Sequence, residues 1–139
     1  MTVSITAAPQ AKVGTELPDV TFPITLYRLV MVAGANRDFN AIHHNRDYAR
    51  TTGAPDAYAN TLFLMGMWER AIDQWTNSRG RIVAIRGFRM SRFNTAGSTA
   101  VVSGTVKATD ADRSLVTFAV GTSDGDQCTV GPGEVDVIF

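Results

Sequence analysis

Apolar positions along the chain follow two rhythms, three- and four-residue spacing in the first half and alternation or β-branched runs after about residue 80. Val13–Pro18 reads as a turn leading into a short extended run, Val20–Ile24, where Pro23 points to an edge position. Thr25 is a helix cap, and Leu26, Leu29, Val30 and Ala33 predict a helix that ends near Gly34. Asn45 caps a second, short helix over Arg46–Thr51, closed by Gly53 and the Ala54-Pro55 turn. The strongest helical signal lies between Asn60 and Trp75. There Leu62, Phe63, Met65, Met67, Trp68, Ala71, Ile72 and Trp75 leave only a strip around Glu69, Arg70, Asp73 and Gln74 for water.

The last third reads as strands over Arg81–Phe93, Ala100–Ala108, Ser114–Gly121 and Gln127–Ile138. Turn chemistry separates them at Asn94–Gly97, Asp110–Asp112 and Ser123–Asp126, so sequential strands are expected to pair as an antiparallel meander. An antiparallel sheet curling around one nearly all-apolar helix is an α+β arrangement. The 139 residues fit one domain, 1–139, with residues 1–12 as a loose N-terminal arm.

Composition narrows the function classes. Hydrophobic residues at 45% and charged residues at 19% suit a packed core. The 13 basic and 13 acidic side chains cancel, so no global field recruits nucleic acid or an anionic membrane, and any anion site must be local. Cys128 is the only cysteine, which excludes an intrachain disulfide and a cysteine-based zinc site. With no signal-peptide pattern and no apolar run long enough to span a bilayer, a cytoplasmic location is expected.

Both histidines fall in Arg37-Asp38-Phe39-Asn40-Ala41-Ile42-His43-His44, between the first two helices. A carboxylate beside an imidazole orients the ring and tunes its basicity, and the pair can hold a water and take its proton. Asp38 and His43 are the candidate pair, and Asn40 can position the loop or the water. Phe39 and Ile42 would anchor the loop to the core. On spacing alone, such a pair is more often a local hydrogen-bonded or helix-capping pair than a catalytic one. A metal set of Asp38, His43 and His44 is disfavoured, because adjacent histidines point different ways and no further cluster completes the sphere. His44 is then a partly solvated neighbour.

Arg79, Arg81, Arg86, Arg89 and Arg92 crowd the first strand of the meander. They face solvent or pair with acids such as Glu69 and Asp73, or some of them meet phosphate, for which the guanidinium fork is suited. Tyr58, Phe63, Met65, Met67 and Trp68 could line an acyl tunnel or form core.

The Arg37–His44 run, with Val13-Gly14 and the Leu26–Gly34 helix before it, resembles the D-x-N-x-[IV]-H signature of MaoC-like, hydratase-2-type hot-dog proteins. The order of elements matches from about Val13 through Val106, including the long helix and Arg92-Phe93 downstream of it. The resemblance implies a single hot-dog fold and addition of water across a 2-enoyl thioester, with Asp38 and His43 activating the water to give a (3R)-hydroxyacyl product. Reversal is dehydration. It further implies an oxyanion site at the start of the central helix, here Asn60-Thr61, where the family commonly carries His-Gly. Tyr58 and Met65 are expected to touch the acyl group, and Arg89 and Arg92 the coenzyme A phosphates. No metal or redox cofactor is implied, coenzyme A entering only as part of the substrate.

The chain is also similar to the small MaoC-like subunits of actinobacterial steroid side-chain degradation, which implies a bulky acyl group. Its partner would be a second copy or a second MaoC-like chain. Two other readings stay open: a hot-dog thioesterase, which the D-x-N-x-[IV]-H loop argues against, and a non-catalytic partner subunit, which Thr61 favours and the intact Asp38 and His43 do not.

Overall fold

The computed structural model describes residues 10–139. The elements run β1 (Glu16–Pro23), α1 (Leu26–Ala35), a 3₁₀ turn (Ala41–His43), α2 (Arg46–Thr51), α3 (Thr61–Trp75), β2 (Arg81–Arg86), β3 (Thr99–Thr109), β4 (Leu115–Asp124) and β5 (Gln127–Ile138). The sheet is antiparallel throughout, in the order β1-β3-β4-β5-β2. Its buried side chains, among them Val102, Val106, Phe118, Val120, Val135 and Val137, form one core with Leu64, Met67, Trp68, Ala71, Ile72 and Trp75 of α3. This is the expected α+β arrangement.

Two tryptophans fix how α3 lies on the sheet. Trp68 Nε1 donates to Thr122 Oγ1 at 2.8 Å, and Trp75 Nε1 donates to Pro18 O at 2.8 Å, so neither buried indole N–H goes unpaired. Trp75 packs so close to β3 that a Cβ at Gly104 would stand 2.5 Å from its Cη2. Glycine at 104 lets the helix approach the sheet to that distance.

The sheet departs from the sequence expectation at both edges. β1 begins at Glu16, because Glu16 and Leu17 pair with Thr105 and Gly104 of β3; the register then shifts before Val20, across Pro18, which has no N–H to give the ladder. β3, β4 and β5 form the meander, but β2 is not its first strand. β2 pairs with β5 at the far edge. It also stops at Arg86 and does not continue to Phe93: Gly87 turns the chain at φ +68°, and beyond it Met90 makes a single bridge to Val130. Most of the expected arm, residues 1–9 of 1–12, lies outside the described residues, while Ala11 is buried in the core and the Gln10 carbonyl accepts from Arg113 Nη1.

The helices and their caps agree with the periodicity. Thr25 accepts from the Arg28 N–H and Asn45 from the Tyr48 N–H. Among the described residues no helix is long and apolar enough to cross a membrane.

Candidate active site

The loop after α1 is shaped by short-range bonds that its own residues supply. The Asp38 N–H donates to Ala33 O, ending α1. Asn40 Oδ1 accepts from the Ile42 N–H and caps the 3₁₀ turn that carries His43. His44 donates from Nε2 to Phe39 O at 3.3 Å, so its ring is turned away from His43's partners. Asp38, His43 and His44 therefore do not converge, and among the described residues no group of three His, Cys, Asp or Glu side chains could hold a metal ion. Phe39 corrects the sequence reading. It is 71% exposed and anchors nothing, whereas Ile42 is half-buried. Local capping holds the loop, which leaves Phe39 no core position to fill.

Asp38 and His43 do meet. His43 is buried, and its Nε2 lies 3.1 Å from Asp38 Oδ2, on a carboxylate whose side chain is 38% exposed. On the other side of the ring, Nδ1 lies 2.7 Å from Tyr58 O. A carbonyl can only accept, so Nδ1 carries a hydrogen and Nε2 is the nitrogen that exchanges its proton. The Tyr58 ring stands edge-on to the imidazole at 5.5 Å and fixes its tilt. With a hydrogen on Nδ1, an unprotonated Nε2 and the Asp38 carboxylate both present lone pairs to a water.

The second half of the site is the start of α3. Asn60 caps the helix through Oδ1, which accepts from the Phe63 N–H at 2.8 Å, and its Nδ2 donates to Asp38 Oδ2 at 3.2 Å. Asn36 Nδ2 adds a longer donation to Asn60 Oδ1 at 3.4 Å. The Asn60 side chain is thus committed to the carboxylate and the helix, and it ties the two halves of the site together. Thr61 turns its hydroxyl toward Met90 Sδ. The first N–H groups of a helix have no intrahelical acceptor, and the dipole adds positive potential there, so the backbone at Thr61 can receive a developing negative oxygen.

Behind Tyr58 lies the clamp that holds it. Arg46 grips Asp56 through two bonds, Nε to Oδ1 at 2.8 Å and Nη2 to Oδ2 at 2.6 Å, and the Ala57 N–H donates to Oδ1 at 2.7 Å. The Arg46 hydrogen bonds hold the Asp56 carboxyl below the usual carboxylate range, and Asp56 in turn raises Arg46. The sequence showed no sign of this pair, since ten positions in a loop region carry no periodicity. Asn60 as the prop of Asp38, with Asn36 bonded to Asn60, was missed for the same reason.

A cavity of about 370 Å³ opens beside the helix start, lined in part by Tyr58, Ala59, Leu64, Met90, Arg92 and Phe93. Tyr58 and Arg92 are therefore brought together. Met65, half-buried on α3, is not part of this lining, and Arg89 is exposed, its carbonyl accepting from the Gly131 N–H. Arg86 is taken up elsewhere, by Asp136 and Glu134.

No protein-family model matches the chain. Among solved structures it is similar to the (R)-hydratase of A. caviae involved in PHA biosynthesis, with a TM-score of 0.84 over 95% of this chain and 99% of that one; at 17% identity this is a likeness of fold. It is also similar to the ChsH1-ChsH2 complex of Mycobacterium tuberculosis, with a TM-score of 0.85 at 28% identity over 94% of this chain and 99% of the matched chain. With these likenesses and a sequence relative at 32% identity, the chain belongs to the MaoC-like hot-dog hydratases and dehydratases, and it is a hydro-lyase. That relative is the 3-oxo-4,17-pregnadiene-20-carboxyl-CoA hydratase beta subunit of Mycobacterium tuberculosis, matched over 118 residues, 84% of this chain and 90% of the relative.

Proposed function

We propose that Asp38 and His43 activate a water for addition to the β-carbon of an enoyl-CoA. The observation that carries this is the orientation of His43. Tyr58 O holds Nδ1 as a donor, so Nε2 faces Asp38, and Asn60 joins that carboxylate to the start of α3.

The water donates one hydrogen to Nε2 and the other to the Asp38 carboxylate, and its oxygen attacks the β-carbon. The electron pair of the double bond moves to the thioester oxygen, which the Thr61 N–H stabilises as an enolate. The proton taken by Nε2 is then returned to the α-carbon, which restores the pair. Asn40 keeps the 3₁₀ turn in place and Asn60 holds the carboxylate. Tyr58 and Arg92, which share the cavity wall, are the substrate contacts of the expected set, Arg92 toward a coenzyme A phosphate. The reaction as drawn needs no metal or redox cofactor.

The substrate we favour is a bulky, steroid-type acyl-CoA, supported by the name of the relative. We further propose that the working enzyme pairs this chain with a second MaoC-like chain. The similarity to the ChsH1-ChsH2 complex supports it, as do the exposed Tyr27, Val30 and Met31, which share a face of α1, and Phe39 just beyond. A cytoplasmic setting is proposed on the unpaired Cys128.

The test is loss of enoyl absorbance on short-chain, long-chain and steroid enoyl-CoA esters, with the oligomer measured in the same preparation. Hydration is expected for at least one ester and strongest for the bulkiest. Thioester cleavage without hydration would replace this reading with a hydrolase.

A further inference from the structure

Asn94 stands in the cavity wall next to Phe93, on the segment that also carries Arg92. It is 1% exposed, and neither Nδ2 nor Oδ1 has a hydrogen-bond partner among the described residues. Its backbone is satisfied, the carbonyl accepting from the Ala59 N–H at 2.9 Å. The fold therefore does not need the side chain for a turn or cap, and a buried amide without partners destabilises the protein that carries it.

We propose that the Asn94 side chain binds a secondary amide of the pantetheine arm of the substrate; this rests on the coenzyme A ester reading above. One unpaired donor and one unpaired acceptor on a single planar group match a ligand that offers both an oxygen and an N–H. The rest of the cavity lining is largely apolar or aromatic, with Tyr58, Ala59, Leu64, Met90 and Phe93 giving an amide few competing partners in that wall.

Position agrees with chemistry. Arg92 lies two residues before Asn94, at most about 7 Å along the chain, at the end where a phosphate would sit. Ala59 and Leu64 mark the helix start, where the thioester oxygen would sit. An arm running from one to the other passes the wall that holds Asn94. Phe93, 46% exposed and tilted at 50° against Tyr58 with ring centroids 4.7 Å apart, is the side chain whose rotation opens the amide to the arm.

The test compares wild type with Asn94→Leu, in the oligomer the protein forms, on crotonyl-CoA and on the crotonyl thioester of ethanethiol, which has no amide. The leucine variant is expected to melt no lower than wild type. Its KM for crotonyl-CoA should rise by about tenfold, the scale of one lost hydrogen bond, with kcat/KM on the amide-free ester changed by less than about twofold. Equal losses on both esters would move the contact to the acyl group, and no loss on either would make Asn94 structural; both overturn the proposal.

Should Asn94→Leu fail to fold, Asn94→Thr keeps one donor and one acceptor and should give a smaller rise in KM on crotonyl-CoA alone; any other pattern counts against the contact. Calorimetric binding of butyryl-CoA, which cannot be hydrated, separates the two readings. Weaker binding to Asn94→Leu in a protein that hydrates nothing would sink the Asp38–His43 assignment and keep the amide contact. Unchanged binding in an active hydratase would sink the contact alone.

Discussion

Asp38 and Asp56 are two aspartates of the same loop-and-helix region, and the chain treats them in opposite ways. Asp56 is gripped by both arms of Arg46 and by a backbone N–H. Asp38 receives one neutral amide, from Asn60, and an imidazole whose proton is exchangeable, and its side chain remains 38% exposed. A carboxylate saturated by a full positive charge is fixed and unreactive. One whose fixed donor is a single neutral amide keeps lone pairs for water and can exchange a proton with the imidazole beside it. The two are linked, since Asp56 secures the strand of loop that carries Tyr58, and Tyr58 O orients His43.

Breaking the reactive member should have the largest effect. Asp38→Asn and His43→Ala are each expected to lower kcat/KM on an enoyl-CoA by at least ~100-fold, the scale of a lost general base, with unchanged circular dichroism. Near-wild-type turnover in either would end the comparison. Asn60→Ala removes a cap and the prop of Asp38. It should cost about 1 kcal/mol of stability and about tenfold in kcat, with the KM little changed, because the amide acts through Asp38 and not on the substrate.

The inert member should read out mainly as stability. Arg46→Leu is expected to lower the melting temperature at neutral pH with less than about tenfold loss of kcat/KM. The sign with pH follows from the lowered Asp56. The contribution of the pair is complete above the unfolded carboxylate value near 3.9 and is lost as pH falls through the lower folded value. Melting curves of variant and wild type should therefore converge in acid. A larger loss of activity than of stability would put Arg46 in the chemistry.

The smallest effect is expected at a charge cluster on the sheet. Arg86 binds Asp136 and Glu134, with Lys107 also on Glu134, and the Arg86 hydrogen bonds hold Asp136 down to about 2. Arg86→Ala should lower the melting temperature modestly at pH 7 and leave KM for coenzyme A esters unchanged. The difference should fade between about pH 4 and 2. A raised KM would return Arg86 to the phosphate-binding arginines.

What was legible in the chain was local. Eight apolar positions marked α3, Thr25 and Asn45 marked the caps of α1 and α2, and the turns at 110–112 and 123–126 separated β3, β4 and β5, because each signal acts within a few residues. The place of β2 was not legible. Strand order is decided by long-range pairing, and Gly87 ended the strand at a position where alternation alone ran on. In the site, Asp38 and His43 stood out by type and spacing. Their supports did not, because Asn36, Asn60 and the Arg46–Asp56 pair act across 10 to 24 positions with no repeating pattern.

The most direct test is to incubate the protein with an enoyl-CoA in water labelled with heavy oxygen, for wild type and Asp38→Asn. The label should appear on the β-hydroxyl of an intact thioester with wild type and be nearly lost with Asp38→Asn. Label in a released carboxylate, or equal labelling of the hydroxyl by both proteins, would contradict the assignment of Asp38 and His43 as the water-activating pair.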